Sequence, residues 1–180
     1  AILVTHSHYD HALDLAFLAQ ALNKTKIVGS KSSLNIARGG HVSEQQLLQV
    51  QPFKTMLFDQ FRVTAIPSQH TPPTAVNNDL GEEIKQPLHL PARFSAFKEG
   101  HSFDYLIEHS GQRILVKAST GVIPDQLKNL KIDTLFLGIA QLSRQSKEFQ
   151  QNYLDQTLRT LKPKVVVPIH WDNFFKPIDQ

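Results

Sequence analysis

The chain contains no cysteine. That absence removes disulfides, thiolate zinc sites and thiol nucleophiles together, so any transition metal bound here must be held by imidazole and carboxylate. There is no run of lysine and arginine, and the formal net charge is only +3. A surplus this small is compatible with anionic substrates but gives no sign of a nucleic-acid partner. No apolar stretch is long enough to span a bilayer, no signal peptide is visible, and neither an internal repeat nor a linker divides the chain. What is present is ordinary globular composition, 41% hydrophobic and 19% charged over 180 residues, enough for one domain with a sizeable core. The sequence enters an apolar strand directly at Ala1, without an initiator Met. It is therefore expected to be a fragment or processed product, and its compartment, cytoplasm or periplasm, stays open.

Strand and helix signals alternate. Short apolar runs at residues 1–5 (AILVT), 26–29 (KIVG), 58–67 (with FRVTAIP), 132–137 (IDTLFL) and 164–169 (KVVVPI) read as buried strands. FDYLIE and RILVK, separated by Ser110-Gly111, read as a hairpin. Helical spacing covers residues 12–22 and 146–161, with a shorter helix over 32–39. This order predicts an α/β layered fold. Residues 71–100 stand apart: they hold Pro72, Pro73, Pro87 and Pro91 and little periodicity. So long a structureless stretch is expected to be functional, a loop over the site that shapes substrate access.

Nine histidines occur in this cysteine-free chain, and three of them fall in Thr5-His6-Ser7-His8-Tyr9-Asp10-His11, where the first strand ends. In extended chain His6 and His8 point to the same side and can converge on one ion. The turn that follows sends Asp10 and His11 toward a second position beside the first. A lone histidine there would be a solvated turn residue; three imidazoles and a carboxylate in so few residues make a metal site the better reading. His70 follows VTAIPSQ and His170 follows KVVVPI, each at the C-terminal edge of a strand, where open α/β sheets place their sites. Singly, either could be a hydrogen-bonded structural histidine.

The pattern resembles the metallo-β-lactamase superfamily. HSHYDH fits that family's H-x-H-x-D-H, His70 and His170 follow in the family's order, and AIPSQH, ILVKASTGVIP, IDTLFLGIA and VVVPIHWDNF resemble its lactonase-like and phospholipase D-like branch over nearly the whole chain. The resemblance implies a four-layer α/β/β/α sandwich carrying one or two ions, zinc first and other divalent metals next. It implies His6, His8 and His70 as ligands of a first metal, and Asp10, His11 and His170 as ligands of a second. It also implies two departures. Ser119, in Ala118-Ser119-Thr120-Gly121, stands where the family carries a metal-bridging Asp, which should weaken the second position. The strands that normally precede the first motif are missing.

Zinc lowers the pKa of bound water to roughly 7 and supplies hydroxide at neutral pH, with Asp10 expected to orient the water and relay its proton. The expected activity is hydrolysis of an ester, lactone or phosphodiester in a small-molecule or lipid-like substrate, with phosphorylated substrates favoured and β-lactams less so. The rival reading is a metal-binding relative with weak or no activity because of Ser119; a di-iron redox site would want more carboxylates than Asp10. Ser119 itself has no His–Asp pair that would make it a nucleophile. His89, His101 and Trp171 are candidate substrate contacts, although His41, His89, His101 and His109 read more simply as loop or surface residues. Trp171 and Phe174 are expected to pack beneath His170.

Overall fold

The computed structural model describes residues 1–75 and 78–172. Two sheets form. The first is parallel, in the order β1 (Ile2–Leu3), β2 (Ile27–Gly29), β3 (Leu47–Gln49). The second runs in chain order through β4 (Thr55–Phe58), β5 (Phe61–Ser68), β6 (Ser102–His109), β7 (Gln112–Lys117), β8 (Thr134–Gly138) and β9 (Val165–Ile169). Its β4–β7 pairs are antiparallel and its β7–β9 pairs parallel.

The period of two along each strand divides the side chains between layers. Val28 of the first sheet packs with Val63, Ala65, Phe103 and Tyr105 of the second, so the sheets face each other. Ile27 turns the other way, into a cluster with Leu15, Ala19, Leu34 and Ile36 of the helices α2 (Leu15–Ala21) and α3 (Lys31–Gly39). On the far side, Leu106, Leu115, Leu135 and Leu137 pack with Tyr153 of α4 (Lys147–Leu154). The packing order is helices, sheet, sheet, helix.

The structure alters or adds to the sequence reading in three places. The helix expected over 12–22 starts earlier and is broken in two, as α1 (Tyr9–Ala12) and α2, because Asp14 sits at φ −86°, ψ 4°, outside the α basin. The short strands β3 and β4 went unread: both are partly exposed, and so few residues carry little pattern. The described residues of 71–100 are mostly irregular, and the segment is anchored to α3. Leu88 N–H donates to the Asn35 carbonyl, Asn35 Nδ2 to the Ile84 carbonyl, and Ile84 N–H to Ser32 Oγ. Polar side chains buried on α3 thus satisfy the backbone of a segment that has no ladder of its own, and Ile84 enters the core. Among the described residues no helix is long and apolar enough to cross a membrane.

Candidate metal centre

One edge of the fold collects the site. β5, β7, β8 and β9 run in the same direction, so their C-terminal ends lie together, followed in turn by His70, Ser119, Ala140-Gln141 and His170. The end of β1 is tied to the same edge: Phe103 N–H donates to the Thr5 carbonyl at 2.8 Å and Tyr105 OH to the Val4 carbonyl at 2.9 Å. That junction delivers His6, His8, Asp10 and His11. His170 adopts a left-handed backbone, φ 53°, unusual for a residue with a Cβ, where the chain turns off β9.

The six residues fall into two groups. Ligand atoms of His6, His8 and His70 lie within 4.8 Å of one another, and so do those of Asp10, His11 and His170. The groups adjoin, since the His6 and His11 ring centroids are 3.8 Å apart. His70 Nδ1–H donates to the Thr71 carbonyl at 3.1 Å, which fixes the tautomer of that ring. The Thr5 hydroxyl lies 3.4 Å from Nδ1 of both His6 and His11. His6 Nε2 is buried and has no hydrogen-bond partner. A buried nitrogen without a partner costs free energy unless something outside the protein's own set meets it. In this all-imidazole surrounding a divalent cation fits that role.

The electrostatics favour the same occupant. Burial lowers the pKa of His6 well below the usual histidine value, and its neighbours His11, His70 and His8 add to the effect. Burial likewise pulls His70 down to about 4, with His8 contributing. Both rings are therefore neutral at neutral pH, the form in which an imidazole ligates a metal. Burial would raise the Asp10 carboxyl, but hydrogen bonds from His11 and His170 outweigh it and hold that group well below the usual carboxylate range. Asp10 Oδ2 lies 3.3 Å from Nε2 of each.

A cavity of about 540 Å³ opens beside both groups, lined in part by Asp10, His8, His70 and His170, with Ser119 in its wall. Tyr9, Phe94 and Phe97 give it an aromatic side, and Asn78, Asp79 and Lys98 a polar one. The segment 71–100 thus contributes directly to the cavity. The other candidates lie elsewhere. His89 is exposed, its Nδ1 bonded to the Gly39 carbonyl. His101 bonds Glu83 at the surface and borders a separate cavity of about 450 Å³ on another side of His70. His109 stacks on Phe61. Trp171 is 65% exposed, so it does not pack beneath His170 as expected: the strand has ended at Ile169. Phe174 lies outside the described residues.

Two supports escaped the sequence reading. Asp79 places Oδ1 3.1 Å from His8 Nε2. Lys117, fully buried, donates to the Gly121 carbonyl at 2.6 Å and to Ser68 Oγ at 3.1 Å, and pairs with buried Asp104 at 3.4 Å. It thereby ties the Ser119 turn to the end of the strand leading to His70. Neither residue has a spacing rule that would mark it: Asp79 meets His8 and Lys117 meets Ser68 across long sequence separations.

A mixed α/β fold thus presents, at one sheet edge, two adjoining groups of histidine and carboxylate fit to hold metal ions. The sequence profile of the beta-lactamase superfamily domain matches residues 1–171, and the chain belongs to that family. No curated protein sequence matches it. Among solved structures it is similar to the short form of human tRNase Z (14% identity, 97% of this chain and 73% of that one, TM-score 0.60). It is also similar to Igni18, a metallo hydrolase from Ignicoccus hospitalis (16%, 94% and 63%, TM-score 0.58), and to CmlA, a diiron β-hydroxylase from Streptomyces venezuelae (16%, 94% and 35%, TM-score 0.56). The chain thus spans from about a third to about three quarters of these relatives' lengths.

Proposed function

We propose that the protein is a divalent-metal hydrolase, with zinc as the favoured ion, that cleaves an ester, lactone or phosphodiester bond. The observation that carries this reading is the convergence of two ligand groups on a cavity, one group containing the buried, partnerless His6 Nε2. His6, His8 and His70 would hold the first ion, and Asp10, His11 and His170 the second. Bound there, such ions would activate water and polarise the electrophilic oxygen of the substrate.

The chain's own residues do the rest. Asp10, held well below the usual carboxylate range beside His11 and His170, is ionised at neutral pH, orients the water and accepts its proton. The aromatic side of the cavity takes an apolar substrate portion. A phosphorylated substrate is favoured because two bound dications would meet its negative charge.

The test is turnover of bis(p-nitrophenyl) phosphate and of a simple lactone before chelation, after it, and after zinc is restored. Activity should vanish and return, and Asp10→Asn should lower kcat by at least about 10²-fold, as for a lost acid–base group. Protein that binds zinc tightly yet turns over neither substrate would instead support the non-catalytic reading that follows from Ser119.

A further inference from the structure

We propose that Asp79 is a positioning residue for His8: its carboxylate accepts the Nε2–H of that imidazole and so assigns Nδ1 as the nitrogen that meets the metal. The inference rests on the metal-centre reading above and adds to it a residue that lies outside the histidine motif.

The geometry is specific. Both carboxylate oxygens of Asp79 approach His8 Nε2, at 3.1 and 3.4 Å. An ionised carboxylate only accepts hydrogen bonds, so Nε2 carries the proton. A neutral imidazole has one N–H, which leaves the lone pair on Nδ1. The three histidines of the first group are then held differently. His70 is fixed through Nδ1 by the Thr71 carbonyl and His6 leaves Nε2 open, whereas His8 is turned over. That difference suits the chain path, because His6 and His8 leave the same short segment, and their rings meet edge to face with centroids 5.0 Å apart.

Asp79 is itself held. Its Oδ2 accepts the Glu99 backbone N–H at 3.1 Å. The Glu99 carboxylate, buried, accepts the N–H groups of Gly81 and His101 and the Ser102 hydroxyl. The Glu99 carbonyl then accepts the backbone N–H and hydroxyl of Ser7, at 3.0 and 3.1 Å. The ring of bonds closes on Ser7, between His6 and His8. Gly100 seals it: its φ is +67°, and a Cβ there would stand 2.2 Å from Ser7 Oγ. Asp79 therefore cannot drift without disturbing the histidine motif itself. It also places a negative charge against a ligand of the first ion, in a cavity wall where Ser119 supplies none. A carboxylate bonded to the far nitrogen of a ligating histidine fixes its tautomer and raises its basicity.

The experiment uses cobalt(II) as the probe, titrated against a competing chelator in wild type, Asp79→Ala, Asp79→Asn and His8→Ala, with the ligand-field spectrum recorded. Long-range ¹H–¹⁵N spectra of the zinc-loaded wild type report which His8 nitrogen carries the proton. Asp79→Ala should weaken the tight position about 10- to 100-fold and alter its spectrum. Asp79→Asn, whose one amide oxygen still accepts Nε2–H but cannot also serve the Glu99 N–H and carries no charge, should recover part of that loss. In wild type the proton should sit on Nε2. A proton on Nδ1 overturns the proposal whether or not the alanine variant folds, and so does Asp79→Ala protein with wild-type affinity and spectrum. Wild type that binds no cobalt would overturn the metal-centre reading and this proposal with it.

Discussion

His70 and His6 show how much one side chain's surroundings decide. Both are neutral because they are buried among other imidazoles, so in metal-free protein the unfolded chain binds protons that the folded chain refuses. The sign follows. Their folded pKa values lie below the unfolded value near 6.5, so the associated stability is complete above that pH and is lost as pH falls toward about 4. From pH 7 to pH 5, His70 alone should take about 2 kcal/mol from the metal-free protein, read as a lower urea midpoint; an unchanged midpoint would mean that the ring is solvated. Ser119 raises a second question at this scale. A serine oxygen neither bridges two cations well nor offsets their repulsion, so zinc titration should show one tight and one weaker position, and Ser119→Asp should bring the two together. Two equal tight positions in wild type would mean that another group does the work of the missing carboxylate.

At the scale of elements, the turn after β7 carries much of the site's precision. Gly121 lies so close to the strand end before His70 that a Cβ would meet the His70 carbonyl at 2.2 Å and that of Gln69 at 2.4 Å. Lys117 pins the same turn from below. Burial raises the Asp104 carboxyl, and Lys117 opposes that shift. Removing one partner of such a pair strands the other, so Lys117→Met should cost about 3–5 kcal/mol, whereas the double replacement of Lys117 and Asp104 by apolar residues should cost less. Thermal unfolding of both variants checks this, and equal losses would contradict it. The sequence could not show this support. Lys117 continues the RILVK strand signal as an ordinary polar residue, and only the tertiary fold buries it. The strand ends that carry His6, His70 and His170 were legible because each is an apolar run with a histidine within three residues of its end. β3 and β4 were not, being short and half-solvated, and the break at Asp14 lay inside an unbroken helical pattern.

Over the whole molecule, the order of chemistry along the chain becomes convergence in space. Strands distant in sequence run the same way, so their ends, and the histidines after them, share one edge. This is why the candidate residues that meet there could be singled out from sequence before any contact was known, while Asp79, Glu99 and the loop's bonds to α3 could not. Those depend on where irregular chain settles, and no periodicity encodes that. The central claim is that this edge holds divalent metal on the two residue groups. Its most direct test is an anomalous difference map from crystals grown with zinc, collected on both sides of the zinc edge. The account predicts a strong peak among His6, His8 and His70 and a weaker one among Asp10, His11 and His170. Zinc bound only elsewhere on the surface, with both groups empty, would contradict it.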